Sequence, residues 1–276
     1  MEIFDYGFMR NAFFTGALIG VVCPVVGLFV TLKRLSLIAD ALSHVCLAGV
    51  AAGLLTGSHP VVTASVFSVS GAFLIEALRA RYSSYPELAI AVILSTGAAG
   101  GAVLLGLGKG LNANFMSYLF GSIITVSGND VAVIAASAAF ILVMVKLFYK
   151  ELFFVSFDEE GAAVAGLPVR LISVGFTAMT ALAIAVSIKI VGILLVSSLM
   201  VLPVAAALKL AKSFRGALLL SALLGELAVL LGLAASFYLN LAPGGVIIMV
   251  SVAILILSVL FGPLRPASGR STPISS

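Results

Sequence analysis

The sequence predicts an all-α polytopic membrane protein with about nine transmembrane helices (eight to ten), and three observations lead there. Of its 276 residues 62% are hydrophobic and only 9% charged, whereas a soluble domain carries about a quarter charged residues. The apolar residues come in repeated runs of about twenty, each long enough to cross a hydrocarbon core of roughly 30 Å. The alternating segments of an outer-membrane barrel are absent.

The runs fall at 11–30, 36–56, 60–78, 88–107, 130–149, 170–188, 190–208, 216–239 and 244–262. Glu2, Asp5 and Arg10 precede the first, which reads as a full span rather than a cleavable signal. Pro24 inside it, like Pro203 inside the seventh, removes a backbone hydrogen bond and should kink its helix. Lys33 and Arg34 open the second run, which holds Asp40 and His44. The third follows the turn Ser58-His59-Pro60, and its Glu76 is spaced to pair with Arg79. Gly16/Gly20, Gly49/Gly53 and Gly97/Gly101 are spaced for close helix contact in lipid.

Segment 108–129 is polar at both ends with an apolar middle, as a partly inserted or surface-lying stretch would be. The loop at about 150–169 holds a capping-box pattern, Ser156 with Glu159, and then Gly166 and Pro168 as stop signals. A short helix over roughly 158–165 follows from these. Runs six and seven are separated by little more than Lys189, the weakest junction. Glu226 lies inside the eighth run, and the chain after Pro263 is rich in Ser, Pro and Gly. One membrane domain over 1–265 and a disordered tail over 266–276 are therefore expected.

Charge sets the orientation. The formal charge is +4, but the basic residues are scattered at the ends of apolar runs, which argues for topology and against nucleic acid. With the N-terminus outside, Lys33, Arg34, Arg79, Arg81, Lys146, Lys150, Arg170, Lys209, Lys212, Arg215, Arg265 and Arg270 are cytoplasmic. Only Arg10, Lys109 and Lys189 remain outside. The C-terminus is then cytoplasmic. Cys23 and Cys46 both fall inside apolar runs without a CxxC spacing and read as buried free thiols.

Asp40 and His44 stand four residues apart and share one helix face. Counted from Lys33 and Arg34, they lie about 10 and 15 Å into the membrane. An ionised Asp at such depth costs on the order of 3 kcal/mol, so the pair must face protein, water or an ion. Oxygen and nitrogen donors suit Zn²⁺, Mn²⁺ or Fe²⁺ better than soft Cu⁺, and two ligands let an ion leave as well as enter. The other reading is a hydrogen-bonded pair that fixes helix packing. Glu226 and His59 are further candidate metal contacts, set against a helix-packing carboxylate and a surface imidazole. No GxxxxGK[ST] phosphate loop, HExxH or GxSxG is present, so ATP hydrolysis and intramembrane proteolysis by this chain have no support.

Four segments in register carry a resemblance: RLSLIADALSHVCLAGVAAG at 34–53, YLFGSIITVS at 118–127, FDEEGAAVAGLP at 157–168 and VGILLVSSLMVLPVAAA at 191–207. Together they resemble the permease subunits of bacterial ABC importers for zinc, manganese and iron, over residues 10–265. The resemblance implies a type II importer-like fold in the bacterial cytoplasmic membrane. It implies two copies of the chain, two cytoplasmic ATP-binding subunits and an extracytoplasmic metal-binding protein. Asp40 and His44 then line the path, and no cofactor is permanently bound. Phe157, Asp158, Glu159, Glu160, Gly161, Ala162, Ala165 and Gly166 dock onto the ATPase as a coupling helix. One departure is Asn240, which stands where such permeases often carry an acidic residue. The alternatives are a secondary carrier using Asp40 and Glu226 as ion or proton sites, for which an internal inverted repeat is expected, and a structural membrane subunit.

Overall fold

The computed structural model describes residues 5–82, 84–108 and 112–261. Glu2, Lys109, Arg265, Arg270 and the expected tail at 266–276 lie outside the described residues. The described chain is helical in this order: α1 Gly7–Leu32, α2 Leu37–Thr56, α3 Pro60–Arg81, α4 Pro86–Leu107, α5 Asn112–Phe120, α6 Gly128–Leu147, α7 Tyr149–Phe157, α8 Glu159–Val164, α9 Val169–Val191, α10 Val196–Leu210, α11 Phe214–Leu239 and α12 Pro243–Phe261. Eight of these are long and apolar enough to cross a membrane, and α10, with 15 residues, is the shorter ninth.

Helix α1 is apolar all round and largely buried, as a central helix must be. It packs on α11, α10, α6 and α9. It runs unbroken through Pro24, and α10 likewise through Pro203. Proline leaves the carbonyl four residues back without its donor. Here Gly225 of α11 lies against that Gly20 carbonyl and the Pro24 ring.

The three glycine pairs do pack helices together. Gly16 and Gly20 meet Leu233, Val229 and Glu226 of α11, Gly49 meets Ala64 of α3, and Gly97 meets the His44–Val45 backbone of α2. The expected Glu76–Arg79 pair is present at 2.9 Å, and the Thr177 hydroxyl donates to the same Glu76 oxygen at 2.7 Å, tying α3 to α9. Both cysteines are buried free thiols.

Three expectations change in detail. Residues 150–157, read as loop, belong to α7, which is separated from α6 only by the shared cap residue Phe148. The cap of α8 is Asp158, whose carboxylate accepts from the Gly161 N–H at 2.8 Å. Ser156 is instead buried within α7. The break between runs six and seven lies at Gly192–Leu195, so Lys189 stands in the last turn of α9.

That break is held by the apolar middle of 108–129, which is inserted against α9. The Ser122 N–H donates to the Lys189 carbonyl, and the Ile193 N–H donates to the Tyr118 carbonyl, both at 2.9 Å. Gly121, Gly192 and Gly244 converge there. A side chain on Gly244 would run into the Val191 carbonyl, and one on Gly121 into that of Ile190.

Candidate functional site

Helix α2 is buried along most of its circumference. Its more exposed positions include Leu37, Asp40, His44, Leu47 and Leu54, spaced as one helical seam. Asp40 and His44, both half-buried, are the polar members. The first helical residue is Leu37, so Asp40 lies only about 4–5 Å along the helix and His44 about 10 Å. Fewer helical residues precede the pair than a count from Lys33 assumes. Asp40 stands in the first turn, where the helix dipole favours a carboxylate by about 0.3–1 kcal/mol.

Among the described residues neither side chain has a hydrogen-bond partner, and His44 Nδ1 is buried without one. Leaving such a nitrogen unpaired costs about 1–3 kcal/mol. The isolated chain does not supply the missing partner. The packing alternative required an Asp40–His44 hydrogen bond, and none is formed. Cys46 lies on the opposite side, its Sγ 3.8 Å from the Ala64 carbonyl.

The other two candidate contacts lie elsewhere. Glu226 packs against Gly20 of α1, with Oε2 buried and unpaired. His59 precedes α3, 46% exposed, with Nε2 3.7 Å from Asp130 Oδ1. Among the described residues no group of three or more His, Cys, Asp or Glu side chains is placed to hold a metal ion.

Asp130 is a residue that sequence reasoning missed. It is 2% exposed and receives Lys189 Nζ at 2.8 Å. It also accepts from the Ser127 N–H at 2.9 Å, within the capping box of α6. Lys189 further donates to the Thr125 carbonyl and lies over the Tyr118 ring. This clasp ties α6 to α9 at the end of the bundle opposite α8. The Ser127-x-x-Asp130 pattern was the available signal for half of it. Replacing Asp130 by Ala leaves a buried ammonium without its counter-ion, and a loss of about 3–5 kcal/mol is expected. Thermal unfolding in detergent checks this, and adding Lys189→Met should restore much of the loss.

At the α8 end, the short helix is closed on both sides. Asp158 caps its start. Gly166, at φ 83°, ends it with its own N–H donating to the Ala163 carbonyl and the Leu167 N–H to that of Ala162. Ala162 is fully buried and Gly161 half-buried, whereas Phe157, Asp158, Glu159, Glu160, Ala165 and Gly166 are exposed. Val164, 90% exposed, adds an apolar tip.

Aromatic contacts connect this segment to the bundle. Phe157 stacks on Phe153 at 4.8 Å, Phe153 meets Phe214 of α11 at 4.7 Å, and Phe214 meets Phe29 of α1 at 5.5 Å. Asp158→Ala removes the cap at a cost of about 1 kcal/mol. Amide hydrogen exchange should rise across 159–165 and stay unchanged in α9.

The whole chain has close relatives. Residues 5–262 match the model of the ABC 3 transport family. A Treponema pallidum protein named "Probable metal transport system membrane protein" is 40% identical over 253 residues, covering 92% of this chain and 95% of that one. The manganese import system permease protein ScaB of Streptococcus gordonii is 30% identical over 259 residues, covering 94% and 93%. Among solved structures, a chain of PsaBC from Streptococcus pneumoniae in complex with Fab superposes with a TM-score of 0.85. It is 29% identical, with 95% and 96% of the chains covered. With the match running from before α1 to just past α12, the chain belongs to the ABC 3 transport family.

Proposed function

We propose that this chain is the membrane permease of an ATP-driven importer of a divalent transition metal, zinc, manganese or iron. The observation that carries the reading is the α2 seam, where His44 Nδ1 is buried without a partner and Asp40 lies one turn away, equally unpartnered. The names of relatives such as ScaB favour manganese among the three. An Asp oxygen and a His nitrogen replace two waters of the ion, and the open remainder of its shell lets it move on. His59 beside Asp130, and Glu226 beside Gly20, are secondary candidates for contact with the passing ion.

The rest of the assembly follows from the same reading. Two copies enclose the path, each a single permease domain over 1–265 with its N-terminus outside the bacterial cytoplasmic membrane. An extracytoplasmic metal-binding protein delivers the ion. Two cytoplasmic ATP-binding subunits hydrolyse ATP and receive 157–166, and no cofactor stays bound to the permease. ATP binding shifts the spans between outward- and inward-open states, which requires differential affinity for the two. An ion-coupled secondary carrier finds no support in membership of an ABC family.

The test is reconstitution with the partner subunits in proteoliposomes. ATP-dependent uptake of manganese, zinc or iron is expected. ATP hydrolysis without uptake of any divalent metal would count against the reading.

A further inference from the structure

The turn between α1 and α2 adopts a conformation that glycine usually supplies. Arg34 stands at φ 58°, its N–H donating to the Thr31 carbonyl while the Leu35 N–H donates to that of Val30, both at 3.0 Å. An L-residue in this left-handed position is strained, and glycine would relieve it. The side chain kept there despite the strain is a guanidinium.

It borders a cavity of about 540 Å³ at the α8 end of the bundle, lined by Thr31, Lys33, Arg34, Ser156, Phe157 and Glu159 among others. A second cavity, of about 370 Å³, shares the walls Leu32, Phe157 and Leu208 and adds Lys212 beside the start of α11. Lys33 Nζ donates to the Ser173 hydroxyl at 2.9 Å, which leaves two of its three donors free of that bond. The Thr31 hydroxyl is buried and unpaired. Among the described residues Arg34 has no carboxylate partner. Lys33, Arg34 and Lys212 outweigh Glu159, so the two adjoining cavities carry net positive charge in their linings and share the apolar wall Leu32, Phe157 and Leu208.

We propose that these adjoining cavities bind an anionic phospholipid, its phosphate held by Lys33 and Arg34 in the first and the first methylenes of its chains on the shared wall of Leu32, Phe157 and Leu208. Guanidinium and ammonium groups match phosphate oxygens. Basic pockets between membrane helices at headgroup level are suited to such lipids. The end of α1 and the starts of α2 and α11 meet at that level. The apolar walls are what distinguish a lipid from free phosphate. Burial holds the Lys33 ammonium below its ordinary pKa while Glu159 raises it, and a bound phosphate adds counter-charge that offsets the lost hydration. Phe157 lines both cavities, so the lipid braces the α7–α8 junction against the α1–α2 turn. This site is separate from the ion path and does not depend on which ion is carried.

The test uses the full chain in neutral detergent with three probes: short-chain phosphatidylglycerol, short-chain phosphatidylcholine and inorganic phosphate. Phosphatidylglycerol should raise the unfolding midpoint saturably and phosphatidylcholine should not. Arg34→Gly should raise the midpoint without lipid, because the strain is gone, yet weaken phosphatidylglycerol binding about tenfold or more. Lys33→Gln should weaken binding similarly, and Glu159→Gln should tighten it. A purely structural role for Arg34 would not separate stability from binding in this way. An equal saturable response to inorganic phosphate would assign the site to a free anion and overturn the lipid as its occupant. Equal responses to the two lipids, or unchanged phosphatidylglycerol binding in both Arg34→Gly and Lys33→Gln, overturns the proposal.

Discussion

Asp40→Ala should lower metal uptake by at least about a hundredfold in the reconstituted complex while the permease remains folded and assembled. The size follows from the ligand count. Disturbing a group that merely orients a metal ligand already costs 10–100-fold, and a path with two direct donors loses half of them. The sign on stability is the opposite. Asp40 makes no hydrogen bond within the described chain, so its removal costs no bond and relieves the expense of a carboxylate in a membrane helix. Uptake should collapse while the thermal midpoint stays level or rises. His44→Ala should reduce uptake comparably, with a small packing loss at the half-buried ring. A pair that served helix packing alone would behave in reverse, losing stability and keeping transport.

The second large effect lies at the junction of α5, α9 and α12. Gly192→Ala should cost about 2–6 kcal/mol, adding a backbone penalty of about 1–3 to an overpacking penalty of similar size. Gly192 has φ 89° and ψ 151°, a region essentially closed to residues with a side chain. Its Cβ would also strike the Leu119 carbonyl and lie 2.6 Å from the Gly121 nitrogen. Neither neighbour is a flexible side chain that could swing aside. Loss of monodisperse protein, or a large drop in the unfolding midpoint, is the expected readout. Gly175→Ala is the matched control, since a Cβ there meets nothing within 4 Å. It should be neutral or gain up to about 1 kcal/mol of helix propensity.

The helices were legible because each long apolar run has only one economical use in lipid. Glycine spacing marked three faces of close helix contact, and the fold supplied their partners: α11 for α1, α3 for α2 and α2 for α4. Local pattern failed where tertiary contacts set the outcome. Tyr149–Phe157 folds as a helix because Phe153 and Phe157 seat on Phe214 of α11, a residue far along the chain. Ser156 matched a capping pattern, yet its burial in α7 passed the cap to Asp158. Asp130 went unnoticed in the sequence because its partner Lys189 lies 59 residues away. The Asp40–His44 pair was visible from spacing and hydropathy alone. Its distance from the helix start was not, since only the fold shows that Lys33–Ser36 form a turn rather than the first turn of α2.

The central claim is that His44 and Asp40 touch the ion. Pulsed electron paramagnetic resonance on the assembled complex loaded with Mn²⁺ reads this directly, because a coordinated imidazole nitrogen couples to the metal's electron spin. The wild-type complex should show a nitrogen coupling that His44→Ala abolishes and Asp40→Asn preserves at lower occupancy. A coupling that persists unchanged in His44→Ala, or bound Mn²⁺ with no nitrogen coupling in the wild type, would contradict the account.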